Sequence, residues 1–145
     1  MKIELLKIAI ILAGIGQILT AIIYPFVRYR VLHWFDDLKN LSPLNHAIAK
    51  TYGYYIQGIN FSFGLLSVFL VKDLLVTNNL TTALAGFLAI YWIGRISFQL
   101  KDYSFRELKN QKNYRAGIWS MNLLITFFAI SYMALFVNHL LNILA

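Results

Sequence analysis

The chain has 145 residues, of which 59% are hydrophobic and 13% charged, with a net charge of +7 and a mean hydropathy of +0.63. Soluble domains carry about a quarter charged residues, so this composition excludes an ordinary water-soluble domain and, by length, describes one domain. The absence of cysteine excludes disulfides, thiolate metal sites and a cysteine nucleophile.

A helix that crosses a bilayer needs about 20 mostly apolar residues. Four segments meet that length, at residues 5–27, 51–71, 80–100 and 117–141. The expected fold is therefore all-α: one integral membrane domain over residues 1–145, a four-helix bundle with short connections. A β-barrel would need alternating segments of about ten residues, and these runs do not alternate. The first segment, MKIELLKIAIILAGIGQ, has the basic tip and apolar run of a signal peptide. No small-x-small cleavage site follows, so a retained first span is predicted. Residues 31–50 are expected to lie in the interface. VLHWFDDLKNL mixes aromatic and charged residues, and Ser42 followed by Pro43 is a helix-start signal. KNQKNYR reads as a polar turn before the last span.

Lys and Arg in short loops set orientation. The first connection carries Arg28, Arg30, Lys39 and Lys50, and the third Lys101, Arg106, Lys109, Lys112 and Arg115. Lys2, Lys7 and Lys72 are left for the opposite side, nine against three. This predicts a plasma (inner) membrane protein with connections one and three cytoplasmic and both termini outside. Topology accounts for the basic excess, and no nucleic-acid partner is expected.

Each span carries one stripe of small or polar residues at spacings of three and four, the pattern by which helices pack in lipid. The stripes are Ala13, Gln17, Thr20 and Tyr24; Gly53, Gln57, Asn60, Gly64 and Ser67; Tyr91, Arg95, Gln99 and Asp102; and Asn122, Thr126, Ala129 and Met133. Gln17, Asn60, Gly53, Gly64 and Thr126 are expected to pack helices together, with Gln17 and Asn60 meeting near the midplane. Arg95, Gln99, Tyr91, Gln57, Asn122, Tyr24 and Thr20 converge at one depth in the cytoplasmic half and form the candidate ligand-binding set. Arg95 sits in YWIGRISFQ, about 9 Å below Lys101 at 1.5 Å per residue. Three roles are open to it: snorkelling to the headgroups, pairing with Asp102 two turns on along the same helix face, or facing the interior near Asn122 or Gln57 to bind an anion.

Chemical equipment is sparse. No span contains Asp or Glu, and no Walker loop, dinucleotide fingerprint or metalloprotease helix is present. His33 and His46 lie near the first connection and His139 near the far end of the last span, with no ligand spacing among them. No catalytic residue, metal or cofactor is expected. SPLNHAIAKTYGYYIQGINFSFGLLS, followed by YWIGRISFQ, resembles small four-span bacterial membrane proteins of no assigned activity, which implies the fold alone. Size, basicity and four spans are also similar to the membrane-associated eicosanoid and glutathione metabolism proteins. Their arginine–asparagine–glutamate succession in span two is matched here by Asn60 only, with Ile56 and Phe63 at the flanking positions. The expected function is a bundle that binds a membrane lipid or anionic amphiphile, or a membrane-protein partner or second copy, as an accessory subunit. Alternatives are a membrane enzyme acting on an anionic amphiphile, and an oligomeric transporter or channel subunit.

Overall fold

The structure, a computed structural model, describes residues 3–30, 33–102 and 112–144, without the side chains of Asp37, Asp102 and residues 112–116. Residues 109–111 of KNQKNYR, the side chains of the third connection beyond Lys101 and the Asp102 carboxylate lie outside that description, whereas residues 112–115, expected as part of a turn, are the first turn of the last helix. Six helices follow in order among the described residues: α1 Ile3–Arg30, α2 Trp34–Leu38, α3 Pro43–Phe69, α4 Val71–Leu74, α5 Asn79–Asp102 and α6 Lys112–Leu144. Among the described residues there is no strand.

Three helices among the described residues are long and apolar enough to cross a membrane: α1, α5 over Asn79–Lys101, and α6 over Gly117–Leu144. The protein is thus an all-α membrane protein. The second expected span, 51–71, lies mostly in α3, which falls outside that set. Tyr52, Tyr54, Tyr55, Gln57, Asn60, Ser62 and Ser67 thin out its apolar residues. Its start is where the sequence places it, with Pro43 in the first turn and the Ser42 hydroxyl accepting from the Asn45 amide at 3.4 Å. The segment 31–50 contains the short α2. There Lys39 Nζ donates to Asp36 Oδ1 at 2.7 Å, which holds the carboxyl below its ordinary range and raises the lysine.

The chain divides into two compact units, residues 1–13 with 71–145, and residues 14–70. In the second unit α1 and α3 run antiparallel and come close at two glycines. A Cβ on Gly14 would lie 2.9 Å from the Gly64 carbonyl oxygen and from Ser67 Cβ. One on Gly64 would lie 2.7 Å from Ile18 Cγ1 and 2.8 Å from the Gly14 carbonyl oxygen. Only hydrogen at both positions permits this approach.

In the first unit α5 and α6 form an antiparallel hairpin. Its start is fixed by a reciprocal cap: Asn78 Oδ1 accepts from the Thr81 amide at 2.9 Å, and Thr81 Oγ1 from the Asn78 amide at 3.1 Å. Buried positions Thr82, Ala85, Ala89, Trp92 and Gln99 face buried Asn122, Ile125, Ala129, Tyr132 and His139 in spacings of three and four. Trp92 meets Phe128 edge to face at 4.8 Å, and Gly86 leaves room for the Phe136 ring, 3.0 Å from where its Cβ would be. Thr126 and Met133 of the expected stripe are exposed. The stripe followed small and polar residues, whereas the seam follows Ile125 and Tyr132, which bring more area to bury, so the face is turned by one residue.

Candidate functional site

The seven candidate ligand residues fall into both units. In the first unit, Gln99 Nε2 donates to Asn122 Oδ1 at 2.6 Å, and both side chains are buried. This bond uses the polar capacity the sequence assigned to a ligand, leaving Gln99 Oε1 as a buried acceptor with no partner among the described residues. Replacing either residue alone with leucine strands its partner and is expected to lower stability by about 0.6–1 kcal/mol in a detergent unfolding titration. The double replacement should lie near wild type.

Tyr91 and Arg95 sit on the flank of the hairpin seam, both half-buried. Tyr91 packs its ring edge to face on Trp92 at 5.2 Å. Arg95 makes no hydrogen bond or ion pair among the described residues. Its expected neighbour Asn122 is held by Gln99 instead.

In the second unit the candidates turn out to serve the backbone. Pro25 lies inside α1 and has no N–H, which frees the carbonyl of Ala21 four residues earlier. Gln57 Nε2, from α3, donates to that carbonyl at 2.7 Å. Gln57 is therefore the substitute donor for a missing helical bond, and a ligand would have to compete with it. Thr20 Oγ1 donates to the Gly16 carbonyl at 2.6 Å, so its proton stays within its own helix. Gln17 is fully buried and Asn60 half-buried.

Tyr24 leads to the residue that sequence reasoning misplaced. Arg28, counted among loop cations, is only 7% exposed. Its guanidinium carbon lies 4.9 Å from the Tyr24 ring centroid and 4.3 Å from that of Trp34. Nη2 donates to the Gly53 carbonyl at a long 3.4 Å. Gly53 is expected as a packing residue and does pack, against a charge: a Cβ there would lie 3.1 Å from Cζ and closer still to Nη1. The legible signal was Tyr24 four residues before Arg28, on the same helix face.

Acidic partners are few. Among the described side chains, Glu4 meets Lys7 at 3.8 Å, Asp36 meets Lys39 at 2.7 Å, and Asp73 is exposed in α4. None is ion-paired to Arg28 or Arg95. His139 is buried, with Nδ1 3.4 Å from Thr82 Oγ1. Among the described residues no three His, Asp or Glu side chains gather as a metal cluster. No family model, curated protein or solved structure matches the chain.

Proposed function

We propose that this is a four-span bundle of the plasma membrane, with α3 as the fourth crossing and both termini outside, that binds a lipid or anionic amphiphile from the cytoplasmic side. The 27 residues of α3 would extend about 40 Å, enough for a bilayer core of about 30 Å. Its polar groups lie partly against α1 rather than in hydrocarbon, as the Gln57 bond illustrates. Nine basic residues in or at the ends of the two connections, against Lys2, Lys7 and Lys72 on the opposite side, support the orientation.

The observation that carries binding is Arg95, half-buried in an apolar helix without a counter-charge among the described residues. A cation at a helix centre costs about 2.5–3.5 kcal/mol on insertion scales, and Arg95, nearer the cytoplasmic end of its helix, bears a smaller cost of the same sign, which an anionic ligand would offset. Native mass spectrometry of the solubilised chain should show phosphatidylglycerol retained over phosphatidylcholine. Arg95→Gln should lower that preference about threefold; equal retention of the two lipids by wild type would sink the reading. Because the chain has no cysteine, single introduced cysteines report topology cleanly. Asn79→Cys should react with an impermeant maleimide in intact cells, and Asn40→Cys only after lysis. The reverse pattern would invert the orientation.

A further inference from the structure

We propose that Arg28, with Tyr24, Trp34 and Gly53, forms a seat for a phosphate group, resting on the lipid-binding reading above and naming a second, more sheltered site for it. A guanidinium presents five N–H donors in one plane. Only one of them has a described acceptor, the Gly53 carbonyl at 3.4 Å, at the long limit of a hydrogen bond. Tyr24 and Trp34 offer the cation their π systems, which attract it without supplying acceptors or neutralising it. The C-terminal end of α1 contributes at most about half a negative charge. A cation so sheltered from solvent normally has an anion on its open N–H edge. Among the described side chains no carboxylate fills that place. A phosphate matches the fork bidentately, as Arg–phosphate pairs do.

The surroundings favour a phosphate that carries acyl chains. Phe26 and Tyr29 are exposed beside Arg28, and Trp34 and Phe35 pack edge to face at 5.2 Å just beyond. Such aromatic groups collect at the headgroup level of a bilayer, where lipid phosphates lie. In the turns before it, Leu19, Ile22 and Ile23 are exposed on the face of α1 turned away from Arg28, the side that hydrocarbon would meet. Gly53 sets the width of the seat, because a methyl group there would occupy the space of Nη1.

The test uses the full chain in mild detergent, with phosphatidylglycerol, phosphatidylcholine and inorganic phosphate as probes, read by native mass spectrometry. Phosphatidylglycerol retention should fall about tenfold in Arg28→Gln and substantially in Arg28→Lys, which keeps the charge but loses the fork. Gly53→Ala, which displaces the guanidinium without removing it, should match Arg28→Gln. Circular dichroism selects the variants that remain helical, and either Arg28→Lys or Gly53→Ala decides if Arg28→Gln does not fold. Wild-type retention in the helical variants, with loss confined to Arg95→Gln, would overturn this site and leave the wider reading standing. Equal retention of both lipids by wild type would remove both. Competition by millimolar inorganic phosphate would keep the phosphate chemistry and discard the lipid as its source. Asp37→Asn should change nothing; a tenfold gain in retention would mean that the chain's own carboxylate occupies the seat, and would overturn the proposal.

Discussion

Replacing Gly64 with leucine is expected to force α1 and α3 apart and to destabilise the chain by about 3 kcal/mol, at the upper end of overpacking effects. Even alanine would bring a methyl to 2.8 Å from the Gly14 carbonyl oxygen and 2.7 Å from Ile18 Cγ1. One neighbour is backbone and cannot swing aside, so relief requires the helices to separate. Separation also lengthens the Gln57 bond and withdraws Gly53 from Arg28, which lie on the same seam. The loss should therefore exceed that of leucine at Gly58, where an added Cβ would meet nothing within 4 Å. The unfolding midpoint in an SDS titration of Gly64→Leu and Gly58→Leu checks this; equal midpoints would show that the two helices do not depend on the glycine crossing.

Gln57→Leu should cost about 2 kcal/mol, because it leaves the carbonyl freed by Pro25 unbonded in an apolar setting. The distinguishing feature is its rescue. Pro25→Ala restores an amide four residues after Ala21, so the helix can close its own bond and Gln57 is no longer needed. In the background of Pro25→Ala, Gln57→Leu should be close to neutral, which makes the double-mutant cycle strongly non-additive. Simple additivity would mean that the 2.7 Å bond contributes little and that Gln57 is retained for another reason.

These two cases show what the sequence could and could not disclose. Helix periodicity, the Ser42–Pro43 start and three apolar spans were legible, because they are local properties of the chain. Gly64 was also legible as a packing residue, since small residues in apolar helices have few other uses. Gln57 was recognised as polar and inward but assigned to a ligand. Its real partner is a carbonyl, which every residue has, so only the proline four places beyond Ala21 marked which one. Arg28 was read as a loop cation because FVRYR looks like the end of a span. Its burial depends on α2 and α3 returning Trp34 and Gly53 to it, and no local pattern encodes that return. Half of the expected stripe on α6, Asn122 and Ala129, lies in the seam, and the other half gave way because polar and small residues were weighted over bulk, so that Ile125 and Tyr132 stand where Thr126 and Met133 were expected.

The α5–α6 hairpin carries a buried polar pair towards each end, Thr82 with His139 and Gln99 with Asn122. Within each helix the two paired residues stand the same seventeen positions apart, about 25 Å, and the buried side chains between them are apolar except Ser131, which bonds within its own helix. The pairs act like two marks on a vernier. Sliding one helix past the other by a turn would mismatch both at once and leave four polar groups against hydrocarbon. Losing one pair leaves the other to hold the alignment. A piston stroke within this hairpin is thus the costly motion, and tilting or rolling of the two helices as one body is the cheap one. Any signal carried across the bilayer by α5 and α6 would travel as a change of angle, with the two helices keeping step.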